Sequence, residues 1–498
     1  MLERLPASGW PAGLAKAIFV CASGFLIAGL TAVCPLLSIG VGVGVGLFVL
    51  LIRVPELLLV LFGFSLGFPY SVSLAGVPVN AADGVLMLWC VCAPLIVIHR
   101  LPAHWRLPPV VKAILPFALA VVLSTILASN PPANIKQPIR IIEWFIVLPL
   151  AFSVLEPTPR LLRVAAVLMM VVPSIFAIDG VIEFVSHGNS ISHILGVPVP
   201  GPTDTSGETI RYTFDKSSRA GSTFGGPQAL AMFLALTMSV AFAYVVRSPS
   251  RGLRAMAVIS FLICLAGLGA TESRGGLIGA LAMMLAIGVF ELPRLGKVMA
   301  LIGLLAISAG ALVVATLPGL DGNITSLVPG DRPAAVIDRL TIWRMALTVW
   351  GDHPILGVGL GNFRDHALAR QIDLLVPLGY QSFHAHNTYL EILADTGIVG
   401  LLCYILFLVA MVRCLLHRWR GLRGARRSPA SSLILAAIGA LAAYIVFASV
   451  DMLLSENTHF VLVLLLSMGL LRDPSRQQAS RLSRAPRPSR LAAADAPT

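Results

Sequence analysis

Residues 224–246 read FGGPQALAMFLALTMSVAFAYVV, a run without one charged side chain. RSPSR (247–251) follows, then a second apolar run, GLRAMAVISFLICLAGLGA (252–270), and then TESR (271–274). A bilayer core of about 30 Å takes some 20 apolar residues in helical form, so the stretch reads as a pair of membrane helices. The turn between them is basic. Lys and Arg concentrate in cytoplasmic loops, which puts TESR on the opposite side of the membrane.

Extending outward, similar runs occur near 14–33, 35–52, 54–68, 84–98, 108–128, 138–154, 162–184, 274–291, 298–317, 397–416, 431–450 and 459–471. The third, fourth and last of the fourteen are short enough to be half-spans. The expectation is an all-α polytopic membrane protein with about 12–14 transmembrane helices. The first run follows Arg4 and Lys16 and lacks a convincing cleavage site, so it reads as a retained helix. Composition agrees: of 498 residues 57% are hydrophobic and 12% charged, against roughly 25% charged in soluble proteins. Mean hydropathy is +0.87. These values exclude a disordered chain, a nucleic-acid-binding domain and an ordinary cytosolic enzyme.

The net charge of +12 reads as topology. Arg100 and Arg106, Arg160 and Arg163, Arg247 to Arg254, and Arg294 with Lys297 all fall in alternate loops. So do the six arginines from Arg413 to Arg427 and those of the tail from Arg472. That common side is the cytoplasm, with both termini on it. The seven cysteines lie almost all in apolar runs and form no pairing or metal pattern.

Two long segments, about 185–223 and 318–396, then fall outside the cytoplasm. The second holds four of the ten histidines, and its stretches Ile337–Trp350 and Leu368–Leu378 have the apolar spacing of short surface helices. Three clusters carry residues that a simple anchor has no need of. They are RYTFDKSSRAGSTFGGPQ (211–228), TESRGG (271–276), and the larger loop with DRLTIWR (338–344), HPILGVGLGNF (353–363) and HAHNTYLE (384–391). An arginine within a bilayer costs about 2.5 kcal/mol or more at the centre and less at the rim. The guanidinium forks of Arg219, Arg274 and Arg339 suit phosphate oxygens; snorkelling, or pairing with Glu272 and Asp338, is the alternative. His386 is the candidate base, because imidazole titrates near neutrality. The pair His384 and His386 could suggest zinc but has no Cys or carboxylate at ligand spacing. Gly357-Val-Gly-Leu-Gly follows no plausible Rossmann strand and reads as a sharp turn.

The string His386-Asn387, nine residues, Gly397, two residues, Gly400 resembles the H-[N/S/Q]-x9-G-x2-[G/T/Y] pattern of the O-antigen ligase and polymerase superfamily. Arg339…Trp343, HPILGVGLGNF, TESRGG and RAGSTFGGPQALA are similar to further blocks of that family. The resemblance covers roughly 205–415. It implies a ligase-like core over 205–415 with a periplasmic loop 318–396; the apolar runs add N-terminal transmembrane helices over 1–200 and C-terminal helices over 416–471, and the Arg/Ser/Pro/Ala composition of 472–498 reads as a disordered basic cytoplasmic tail. The resemblance also implies a GT-C-like fold in the bacterial inner membrane with a periplasmic active site. There, glycan would pass from undecaprenyl diphosphate to an acceptor hydroxyl, on lipid A–core in a ligase or on another glycan in a polymerase. By the same resemblance His386 is the base, with Arg339 and Arg274 catalytic. Arg219, Arg344, Arg211, Asn387 and His384 would bind substrate, Arg344 standing in reserve for Arg339 and Arg211 sharing a loop with Arg219. No metal, no other cofactor and no nucleic-acid partner are implied. A transporter of anions or sugars is the rival class. It would place its polar residues near the midplane with access from both faces, whereas here they gather on one side.

Overall fold

In the computed structural model the described residues are 46–65, 71–74, 77–100, 105–128, 136–155, 158–187, 191, 219–224, 226–291, 339–369, 384–422, 428–451 and 458–471. The expected spans 14–33 and 298–317, most of 35–52, Arg211, the loop 318–338, most of 368–378 and the tail lie outside them.

In chain order the helices are α1 (Gly46–Arg53), α2 (Leu58–Ser65), α3 (Ala81–Arg100), α4 (Pro109–Ile126), α5 (Lys136–Ile142), α6 (Leu148–Ser153) and α7 (Pro159–Val185). They continue with α8 (Pro227–Arg247), α9 (Arg251–Ala270), α10 (Arg274–Glu291), α11 (Arg339–Asp352), α12 (Phe363–Ala369), α13 (Thr388–Gly421), α14 (Pro429–Phe447) and α15 (Thr458–Gly469). Six of these, α4, α7, α8, α9, α13 and α14, are long and apolar enough to cross a membrane. The chain is a polytopic helical membrane protein; among the described residues it has one short hairpin, β1 (Ser71–Leu74) and β2 (Val77–Asn80), paired antiparallel from Ser71↔Asn80 to Leu74↔Val77.

Local chemistry sets the helix starts. Pro opens α4, α7, α8 and α14, where its missing N–H costs nothing and its fixed φ suits the first turn. Thr158 and Ser250 cap α7 and α9 by accepting from Leu161 N and Leu253 N, and Ser428 forms a capping box with Ser431 on α14. Three expected spans come out differently. The described parts of 35–52 and 54–68 form one pair bent by 114°, because Pro55 starts a fresh turn just after α1. The expected span 138–154 is interrupted by a π-helical turn at Glu143–Val147.

The buried centre is α8, in which every residue from Ala229 to Ala241 is covered, together with α14. α13 instead exposes Leu402, Ile405, Leu406, Val409 and Val412, a stripe at helical spacing that faces lipid. Without a hydrophobic drive between helices in a bilayer, small residues make the contacts. A side chain on Gly267 of α9 would meet Ala177 Cα of α7 at 2.6 Å, and one on Gly439 of α14 would meet Ile287 of α10 at 2.6 Å. Ser260 also donates across to Met170 O (2.9 Å).

The helix ends sort into two groups. At one end Ser432 Oγ donates to Arg247 O (2.9 Å), Arg247 lies over the Trp419 ring (5.0 Å), and Arg418 bonds to Leu470 O (3.0 Å). At the other, Ala220 N donates to Ala270 O (3.0 Å), Thr388 N donates to Ala448 O (2.8 Å), and Gly275 packs on Val450. The basic loops and the candidate site therefore occupy opposite ends of the bundle.

α13 is broken at Gly397, with φ 66° and ψ −170°. A Cβ there would run into the Ile355 carbonyl, and the backbone conformation is itself unfavourable to other residues. Gly397→Ala is expected to destabilise the detergent-solubilised protein by about 2 kcal/mol or more. Gly269→Ala, in open space on α9, should change the thermal midpoint little. Equal midpoints for the two variants would show that the break is not required.

Candidate functional site

The segment 384–391 joins the start of α13 to the end of α14. Asn387 caps α13, its Oδ1 accepting from Tyr389 N (3.0 Å) and Leu390 N (3.1 Å). Its Nδ2 donates to Ser449 O (3.0 Å), just beyond the last turn of α14. Thr388 N donates to Ala448 O and Thr388 Oγ1 to Asp451 O (2.8 Å), while Tyr389 OH donates to Ile445 O (2.9 Å). At the end of α14 the carbonyls of Tyr444, Val446 and Phe447 accept from the N–H groups of residues 448–451, and the neighbouring segment supplies donors for those of Ile445, Ala448, Ser449 and Asp451, which lack a helical partner.

His386, one residue before the cap, has φ 47°. Its Nδ1 lies 3.2 Å from Asp451 Oδ1, and its side chain is 40% exposed against 14% for Asp451. With the Nδ1 proton donated to the carboxylate, Nε2 keeps its lone pair. His384 does not join it. Its Nδ1 faces Glu391 Oε1 (3.1 Å), and the other oxygen of that buried carboxylate accepts from Ala385 N (2.8 Å). Among the described residues no group of three or more His, Cys, Asp and Glu could hold a metal.

The turn 219–224 sits beside this segment. Arg219 Nε donates to Thr271 O (3.2 Å) and a terminal nitrogen reaches Glu272 O (3.5 Å), at the end of α9. Burial pulls the Arg219 guanidinium below its usual pKa. Glu272 opposes that shift, Arg274 adds to it and Asp451 opposes it, so these charges lie within electrostatic reach of one another. Two buried acids of α7 fix the backbone of the turn. Glu183 Oε2 accepts from Gly221 N (3.0 Å) and Ser222 N (2.6 Å), and Asp179 accepts from Ser222 Oγ and Ile191 N.

Arg274 opens α10 with its side chain exposed, and the next residue, Gly275, rests on Val450, neighbour of Asp451. Trp343 of α11 packs against Val450 and donates Nε1–H to Ala385 O (3.1 Å). Arg339 begins α11 one turn before Trp343, and Arg344 is exposed. The structure thus brings Arg219, Arg274, His386 and the helix that starts at Arg339 to one end of the bundle. Asn387 commits its amide to the two helix ends and His384 faces Glu391.

The GVGLG stretch is a turn, with Gly357, Gly359 and Gly361 at φ 66°, 100° and 84°. Val358 N and Gly359 N donate to Ala394 O and Asp395 O, and Ile398 N and Val399 N donate to Pro354 O and Ile355 O. The Asp395 carboxylate, fully buried, accepts from Gly361 N (2.7 Å) and Phe363 N (2.8 Å).

Several residues of this end escape the sequence reading. Asp451 closes the 431–450 run on the same side as His386, which was a usable signal. Asp179 and Glu183 stand one turn apart at the corresponding end of 162–184, another. A further group, Arg140 with Asp83 (2.6 Å) and Glu143 (3.0 Å), sits over Trp144, whose ring stacks on His459.

Residues 259–405 match the family model described as O-antigen ligase. The matched stretch includes Arg274, Arg339, Arg344, His384, His386 and Asn387; Arg219 and Asp451 fall outside it and join the site by geometry. The chain is also similar to the exopolysaccharide production protein ExoQ of Rhizobium meliloti (strain 1021), 26% identical over 154 residues. That match covers 30% of this chain and 34% of the relative's length.

Asn387→Asp would keep the α13 cap but set a carboxylate oxygen against the Ser449 carbonyl. It is expected to destabilise the protein by about 1–3 kcal/mol, read as a lowered thermal midpoint. An unchanged midpoint would mean that the Ser449 contact contributes nothing.

Proposed function

We propose that this chain is a bacterial inner-membrane glycan transferase that moves an oligosaccharide or polysaccharide from undecaprenyl diphosphate to an acceptor hydroxyl. The reaction would run at the end of the bundle opposite the basic loops, on the periplasmic face. One observation carries the reading. Four segments far apart in sequence bring Arg219, Arg274 and the His386–Asp451 pair together, and those of Arg219, Arg274 and His386 each contain a left-handed non-glycine residue, Ser222, Glu272 or His386. Strained backbone of this kind clusters at functional sites.

In this reading His386 Nε2 takes the proton of the acceptor hydroxyl as its oxygen attacks the anomeric carbon. The bond from that carbon to the diphosphate oxygen breaks, and the electron pair leaves with the lipid diphosphate. One displacement of this kind inverts the anomeric centre. Asp451 holds the ring in the tautomer that accepts at Nε2 and stabilises the imidazolium formed. Arg274, Arg219 and Arg339 offset the charge on the leaving diphosphate, so the step needs no metal. Oriented cations act strongly there because they are fixed before the charge develops. Arg344 and Arg211 are the remaining cations assigned to substrate.

The likeness to a relative named for exopolysaccharide production supports a second reading, in which the acceptor is another lipid-linked glycan and the product a longer polymer. The two readings separate in cells lacking the gene. Full-length chains left off lipid A–core indicate a ligase, whereas single repeats on the core indicate a polymerase.

Purified protein supplied with an undecaprenyl-diphosphate-linked oligosaccharide should release undecaprenyl diphosphate only when an acceptor is present. His386→Ala should abolish release. Asp451→Asn and Arg274→Lys should each lower it by roughly 10²-fold, the first by disturbing the tautomer and the second by removing the fork. Normal activity in a correctly inserted His386→Ala protein would overturn the assignment of the base.

A further inference from the structure

We propose that Glu391 and Trp343 form a clamp on Ala385 that positions His386 for transfer; the proposal rests on His386 being the base. Ala385 is fully buried and is held from both sides. Its N–H is donated to Glu391 Oε2 (2.8 Å) and its carbonyl accepts the indole N–H of Trp343 (3.1 Å). The carbonyl belongs to the peptide plane that precedes His386, and the orientation of that plane sets φ at His386. On the far side the Asn387 cap and the bonds of Thr388 to Ala448 and Asp451 anchor the next residues. His386 therefore hangs between two fixed anchors, and its left-handed φ of 47° is what spans them.

A histidine in this region is disfavoured unless its surroundings over-determine it. Released from the clamp, residue 386 relaxes toward ordinary backbone angles and carries its imidazole away from Asp451. Glu391 is suited to the task because both of its oxygens are committed, one to Ala385 and one to His384 Nδ1 (3.1 Å), so the carboxylate itself is oriented. Trp343 stands one turn into the helix that Arg339 begins. The clamp consequently ties the register of that helix to the position of the base. Neither Glu391 nor Trp343 touches the reacting atoms; both are positioning residues.

The test is a double-mutant cycle in full-length detergent-solubilised protein, with an undecaprenyl-diphosphate-linked oligosaccharide as donor probe. Trp343→Phe keeps most of the ring volume and removes only the donor. Glu391→Gln keeps one acceptor and loses the charge. Each should lower kcat by roughly tenfold or more while the donor KM stays within about twofold and the thermal midpoint of Trp343→Phe is unchanged. Because both act through one residue, the double variant should fall no further than the worse single. Wild-type kcat in both singles, or losses that multiply in the double, would overturn the clamp. Should Glu391→Gln fail to accumulate, Trp343→Phe decides alone, an unchanged kcat counting against it. His386→Ala run in parallel separates the two ideas. An active His386→Ala protein defeats the functional reading, whereas an inactive one beside a fully active Trp343→Phe protein defeats only the clamp.

Discussion

At Gly397 two segments exchange backbone partners. Ile398 N and Val399 N would pair with Ala394 O and Asp395 O in an unbroken helix. Instead they donate to Pro354 O and Ile355 O, and the vacated carbonyls accept from Val358 N and Gly359 N. In a membrane an unsatisfied backbone group costs several kcal/mol, so a helix can break there only if something replaces each lost bond. The loop after α11 does so bond for bond. The approach is backbone to backbone, so Gly357 and Gly397 have no room for a side chain. The same rule operates ten residues earlier, where Asn387 serves the first N–H groups of α13 and a carbonyl beyond the end of α14 with one amide.

These two junctions explain the spacing of the motif. Asn387 starts the helix and Gly397 interrupts it, so the residues between them form a short helical peg docked at both ends. Asp395 lies in that peg and its carboxylate gathers the amides of Gly361 and Phe363, while Ser124 of α4 donates to its carbonyl (2.7 Å). His386 is attached to the front of the peg, so the base inherits its position from backbone satisfaction in a distant part of the loop.

Much of this was legible in the sequence, for physical reasons. Apolar runs near 20 residues have little alternative to membrane helices, and the described helices follow runs such as 108–128, 224–246 and 252–270 closely. Arg219, Arg274 and His386 stood out because polar groups at a membrane boundary are costly and need a purpose. Their partners did not stand out. Asp451 is 65 residues from His386 and looks like any acid at a helix end. Glu391 reads as an ordinary first-turn residue of α13. Only folding shows that each carboxylate turns toward a particular histidine. The bend between α1 and α2 was hidden for another reason, since apolar content measures length in lipid and says nothing of direction.

The arrangement also accounts for where strain is carried. Ser222, Glu272 and His386 all adopt left-handed backbone, each costing on the order of 1–3 kcal/mol. Each is restrained by its neighbours. Glu183 and Asp179 hold Ser222. Thr271 supports the turn at Glu272 by accepting from Ser273 N (3.2 Å), and Arg219 bonds to the Thr271 and Glu272 carbonyls. Asp451 faces His386 and Glu391 holds the residue before it. A relaxed backbone at any of the three would turn its loop elsewhere. The acids at this end thus fix the loops that carry the cations and the base, their oxygens taken up by backbone amides, the Ser222 hydroxyl and two histidines.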